Sequence, residues 1–241
     1  MRRHISYGTD RIGFSIRFLP RPMRRVSIHV MPDGKITVDA PEGAAVDAVM
    51  AAVRSRVRWI WLRLRACHER ARHVLPREYV SGESHFYLGK RYVLKVFVCP
   101  SEPQGVKLRG GKLEVTTRSR DATSVRVLLD AWYRQRAEDV FARRVAACAA
   151  TVPWLETAPG FRLRTMRTQW GSCSPKGGLL LNPLLVKAPG PCMDYVIFHE
   201  LCHLKEHNHS VRFYSLLSGL LPDWQKWKSE LDELAEHLLN R

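Results

Sequence analysis

Asp194-Tyr195-Val196-Ile197-Phe198-His199-Glu200-Leu201-Cys202-His203-Leu204-Lys205-Glu206-His207-Asn208-His209 is the stretch from which the rest of the chain is read. His199 and His203 stand at i and i+4. On a helix that spacing puts both imidazoles on one face, with Cβ atoms roughly 5–6 Å apart. They can therefore converge on one tetrahedral metal. Glu200, beside the first histidine, can reach a water at such a metal as general base. Tyr195-Val196-Ile197-Phe198 is apolar enough for a buried helix, the context the pattern needs. A helix is predicted from near Cys192 through His203.

His207 and His209 compete for the third ligand position. A continued helix carries His207 roughly 12 Å along the axis from His199, too far for metal–nitrogen bonds of about 2 Å to hold both. Asn208 suits a helix end or turn, and a bend there brings His209 back. His209 is therefore preferred to His207. Three neutral histidines leave a fourth coordination position open, which marks a catalytic rather than a structural site. His4, His29, His68, His73, His85 and His237 are isolated in sequence and read as ordinary surface or core side chains.

A second signal lies upstream, Gln169-Trp170-Gly171-Ser172-Cys173 in a loop predicted over Thr168–Gly178. Trp170 reads as a core plug beside the site. Cys173 reads as structural, because three histidines already suffice. A strand over Leu179–Leu185 follows, and its Leu179–Asn182 part is expected to be an edge that pairs with an extended peptide. Arg167, Gln169, Trp170, Ser172 and Asn182 are the candidate substrate contacts. Arg164, Arg167 and Lys176 would be the cations for a phosphorylated substrate.

Working outward, the chain has 241 residues, 45% hydrophobic and 26% charged, enough for one large domain or two small ones. That composition excludes a disordered chain, and 15 Gly with 14 Pro exclude collagen-like and low-complexity classes. No apolar run approaches a membrane span and no secretory h-region follows Met1, so a cytoplasmic protein with no membrane partner is expected. The six cysteines form no CxxC pair, which argues against a zinc ribbon or thioredoxin motif. Net charge is +16 and uneven, with 16 basic against 7 acidic residues in 1–80 but 10 against 8 in 161–241. Such a balance favours polyanionic partners.

Phe14–Phe18, Val26–Val30 and Ile36–Val38 alternate as strands, with Pro32-Asp33-Gly34 as a turn. One helix is predicted over Val46–Arg72, with Val49, Val53, Val57, Ile60, Trp61 and Leu64 inward and an arginine-rich outer face. Strands near Val80–Leu88, Tyr92–Val98, Val106–Leu108 and Leu113–Thr116 precede a long helix over Ser124–Cys148. Its stripe is Val127, Leu128, Trp132, Ala137, Val140, Phe141 and Val145. Phe161–Met166 reads as a strand, and Ser210–Gly219 and Asp223–Asn240 as helices. No internal repeat is visible. The fold class is α+β: a β-rich N-terminal portion with an Arg-rich helix, then a half carrying the HExxH helix. The boundary is placed after residue 120, giving a basic region 1–120 and a metallohydrolase region 121–241, or one continuous domain.

Trp170-Gly171-Ser172-Cys173, Leu181-Asn182, Asp194-Tyr195-Val196 leading into His199-Glu200-Leu201-Cys202-His203-Leu204, then Asn208-His209-Ser210 and Phe213 together resemble the YgjP-like family of metal-dependent hydrolases, which is related to the SprT-like zincin metallopeptidases. Trp59, Gly82-Glu83, Tyr87-Leu88-Gly89 and Trp132-Tyr133 with Ala137 extend the resemblance over most of the chain. It implies Zn2+ at His199, His203 and His209, Glu200 as catalytic base, and a zincin-like C-terminal half. One departure is Tyr214, where Trp often follows the phenylalanine. The expected activity is peptide-bond hydrolysis on a peptide or protein. Two alternatives stand beside it: a nucleoside triphosphate pyrophosphatase using the same site, and a DNA-associated protease contacting nucleic acid through the basic N-terminal region. No recognised DNA-binding motif accompanies the last.

Overall fold

The computed structural model describes residues 1–20, 26–31, 34–71, 77–166, 169–174 and 177–240. Pro32 and Asp33 of the expected turn, and Arg72, His73, Arg167 and Lys176, lie outside the described residues. The chain forms two compact units, Met1–Leu75 and Pro76–Arg241. The division falls well before residue 120, because the strands between 84 and 117 share one core with the following helices.

In the first unit, β1 (Arg2–Tyr7), β2 (Asp10–Leu19), β3 (Ser27–Val30) and β4 (Ile36–Pro41) form a sheet in the order β1-β2-β4-β3. Ile12, Phe14 and Ile16 alternate onto the face buried with Val49, Val53 and Ile60. The expected single helix is two, α1 (Val46–Ser55) and α2 (Val57–Ala71). Ser55 Oγ donates to the Ala52 carbonyl, and the Arg56 amide turns back to Val53. Both bonds run to i−3, which tightens the chain and ends the first helix.

The second unit opens with β5 (Ser84–Tyr87), β6 (Lys90–Val98), β7 (Gly105–Arg109) and β8 (Lys112–Thr117), in the order β5-β6-β8-β7. Leu88-Gly89 and Gly110-Gly111 make the hairpin turns, all four at positive φ. The pairing repeats that of the first sheet. In both, the central pair is parallel and each flanking pair antiparallel, and a helical segment follows. The sequence hides this repeat because backbone pairing constrains only the alternation of apolar residues, not their identity.

α3 (Ala122–Ala150) starts at Asp121, whose carboxylate accepts from the Ser124 amide at 2.9 Å. Its buried stripe runs through Val125, Leu129, Trp132, Tyr133, Ala137, Phe141, Val145 and Cys148. Val127, expected in the stripe, is 58% exposed, and the register is carried by Val125 and Leu129 instead. A second small sheet, β10 (Gly171–Cys173), β11 (Leu179–Leu181) and β9 (Phe161–Leu163), has β11 in the middle. A 3-10 turn (Pro183–Lys187) leads into α4 (Gly190–Cys202), followed by α5 (Val211–Leu220) and α6 (Trp224–Leu239). α4 is buried nearly all round, against α3, α5, α6 and β10.

His85 lies beneath this core with its ring 4% exposed. Burial first, then the nearby Arg77 and Lys187 cations, push it down from 6.5 to about 3. Its ring is therefore neutral, and its Nε2 donates to Glu83 Oε2 at 3.3 Å as a hydrogen bond rather than an ion pair. The folded value lies below the unfolded one, so between about pH 6.5 and 3 the unfolded chain holds the extra proton and stability falls with pH. His85→Phe is expected to flatten that acid loss. Denaturant titrations at pH 7 and 4.5 check it, and an unchanged difference between the two pH values would refute it.

Candidate metal centre

α4 carries His199 and His203 at successive turns, and the helix stops at the second. The Lys205 and Glu206 amides both turn back to the Cys202 carbonyl. The Ser210 amide then donates to Asn208 O at 2.7 Å, a tight bend at the residue where one was expected. Ser210 caps α5, its hydroxyl accepting from the Phe213 amide at 3.2 Å. The bend returns His209 to the end of α4. The three rings form a near-equilateral triangle, with centroids 4.9, 4.9 and 4.8 Å apart. Phe213, fully buried, lies 4.6–4.9 Å from all three and makes an apolar floor. His207 lines the same cavity but stays outside the triangle.

The donor set fits a metal ion. One nitrogen from each histidine lies within 4.8 Å of the others, and the Nε2 atoms of His199 and His209 are 2.9 Å apart. His203 Nδ1 donates to the Glu206 carbonyl at 3.0 Å, which fixes its ring and leaves Nε2 free to meet a metal ion. His199 Nδ1 is sealed from solvent without a partner, so the only useful atom of that ring is Nε2. Burial, then the charges of His203 and His209, lower His199 to about 3, and burial followed by His203 lowers His209. Both are therefore neutral, the form that binds metal.

Glu200, 5% exposed, accepts no hydrogen bond from any described residue, and burial raises its carboxyl to about 8. It fits only because residue 171 is glycine. A Cβ there would lie 2.7 Å from Glu200 Oε1 and 2.8 Å from its Cγ. Gly171 thus makes room for the Glu200 carboxyl, and its only signal in the sequence is the Trp170-Gly171-Ser172 run.

A cavity of about 550 Å³ opens over the triangle. Gln169, Trp170, Ser172 and Cys173 form one wall, and Tyr195, Val196 and Glu200 the other. Burial, then the Glu200 charge, raises the Cys173 thiol, consistent with an inert side chain. Asn182 takes a different place from that expected. It is fully buried, donates to Met166 O at 2.7 Å and Gln169 O at 3.2 Å, and accepts from the Leu184 amide. Its side chain is spent holding the loop before Trp170, so it positions the wall rather than touching substrate. The expected edge strand is likewise corrected. β11 is central, and β10, which lines the cavity, is the outer strand.

An open cluster of three imidazoles with a carboxyl at its side is the equipment of a metal-dependent hydrolase. The family comparison agrees. The YgjP-like metallopeptidase-domain family matches residues 24–234, and the chain belongs to it. A metallopeptidase-domain family implies a divalent metal. A curated relative, UTP pyrophosphatase of Escherichia coli (strain K12), is 31% identical over 72 residues, which are 30% of this chain and 43% of that protein. The match thus spans less than half of the relative's length. Two solved metallopeptidase zymogens are more distantly similar, each 22% identical. Abylysin of Pyrococcus abyssi is matched with a TM-score of 0.36, over 44% of this chain and 97% of that one. Jannalysin of Methanocaldococcus jannaschii is matched with a TM-score of 0.30, over 43% and 93%.

His209→Ala is expected to lower metal affinity at least about tenfold, read by competition with a chromogenic chelator. Retained affinity would remove His209 from the ligand set. Gly171→Ala is expected to keep full metal content while hydrolysis falls, because the methyl displaces Glu200 and not the histidines. Loss of metal in parallel with activity would contradict that separation.

Proposed function

We infer that the chain is a zinc-dependent peptide-bond hydrolase, with His199, His203 and His209 as ligands and Glu200 as general base. The observation that carries this reading is the outer strand β10 lying along the cavity next to Glu200. An extended peptide can add to that edge through its own backbone, which lays a scissile amide along the site. When bound, the ion supplies a Lewis acid that acidifies water to near neutral pH and polarises a carbonyl. Glu200 takes a proton from the attacking water and returns it to the leaving amine. Phe213 backs the imidazoles from the core side, while His209 stays exposed at the open side, and Trp170 lines the same cavity.

Hydrolysis of a nucleoside triphosphate is the second reading, favoured by the similarity to UTP pyrophosphatase. Against it, no lysine or arginine lines the cavity among the described residues. Of the cations expected to meet phosphate, Arg164 does not line the cavity.

The test pairs a pooled extended-peptide substrate with the four ribonucleoside triphosphates, under zinc-replete conditions, for the wild type and Glu200→Gln. Peptide cleavage that the variant reduces about 10²–10⁴-fold is expected. Pyrophosphate release abolished by Glu200→Gln, without peptide cleavage, would replace the first reading with the second. Full activity in the variant would refute the role of Glu200 in both.

A further inference from the structure

We propose that the Tyr195 hydroxyl is a catalytic hydrogen-bond donor of this site, serving the substrate oxygen that gains negative charge as water adds. The proposal rests on the hydrolase reading above. Tyr195 precedes His199 by one helical turn on α4, so the two share a face, and Tyr195 lines the same cavity. Its ring is held from two sides. It stacks on Trp224 at 6.3 Å with planes 12° apart, and it meets His199 edge-on at 6.0 Å.

The residue is only 9% exposed, and a buried tyrosine ordinarily gives its hydroxyl a partner. Here the hydroxyl makes no hydrogen bond to a described residue. Nor is its oxygen among the polar atoms sealed from solvent. The nearby carboxylate of Asp232 is already engaged by Lys228 Nζ at 2.5 Å. A rigid ring, a spare donor and a cavity shared with Glu200 form a preorganised dipole of the kind that stabilises developing charge. Glu200 accepts only, once ionised, and Phe213 offers no polar group, so Tyr195 supplies what those two lack.

Glu200 removes a proton from water as the water oxygen bonds to the carbonyl carbon. The carbonyl electron pair moves onto its oxygen, which accepts a hydrogen bond from Tyr195 without taking the proton. The pair then returns, the carbon–nitrogen bond breaks, and the nitrogen receives the proton held by Glu200. An acid and an amine leave, and Tyr195 is unchanged.

The test is Tyr195→Phe in the metal-loaded protein. The substitution keeps the ring and its stacking, so metal content and thermal midpoint are expected to match the wild type. A kcat lower by about 10²-fold, with KM within about twofold, is expected from the loss of one such donor. Acetohydroxamate, a small metal-directed anion that does not depend on the identity of the substrate, is expected to bind about tenfold more weakly. Unchanged hydroxamate affinity with full metal content would overturn the proposal. So would a loss of activity that tracks a loss of metal. A wild type inert on both peptides and nucleotides would instead overturn the hydrolase reading, and the hydroxamate titration would still decide the role of Tyr195.

Discussion

Burial of α4 is the constraint on which the site depends. Met193, Ile197, Leu201 and Cys202 are fully enclosed, so the helix can neither rotate nor slide without opening the core. That immobility aims Tyr195, His199 and Glu200 into one cavity. It also leaves an ionisable carboxyl with no hydrogen-bond donor among the described residues, an arrangement that costs stability unless positive charge arrives. Site and core are therefore in tension at Glu200, and Gly171 settles it by leaving room for the carboxyl where any side chain would displace it.

Around that helix the supports divide the work. Phe213 fixes the three imidazoles from below, and the Glu206 carbonyl orients one of them. Asn182 ties the loop ahead of Trp170 to the start of the 3-10 turn. The wall facing α4 is thus held by backbone carbonyls and one buried amide. In each of the two units the four-stranded sheet buries one apolar face against its own helix. No described helix is long and apolar enough to cross a membrane.

Much of this was legible in the chain. The i, i+4 histidines, the adjacent glutamate and the Asn208 bend are local features, governed by helix geometry and turn chemistry within some fifteen residues. So were the long α3 and the tight glycine turns. Less legible were the break at Arg56, the register of α3 near Val127, and the strand β10 inside what reads as a loop. The last two depend on packing or pairing partners that lie elsewhere in the fold, and the break at Arg56 rests on two i−3 bonds that no apolar periodicity marks. Asn182 shows the same limit. A polar residue near a site reads as a substrate contact until its three bonds are seen to be internal.

By itself, then, the sequence determined the kind of chemistry: two histidines and a glutamate on one helix, a third histidine after a turn, and a family of hydrolases. Those features are written in short-range spacing, which the backbone translates directly into position. Only the tertiary structure decided which strand forms the cavity rim, why residue 171 has no side chain, and that Tyr195 lines the cavity together with Glu200. These rest on contacts between segments distant in the chain, and no spacing rule encodes the meeting of β10, α4 and α6.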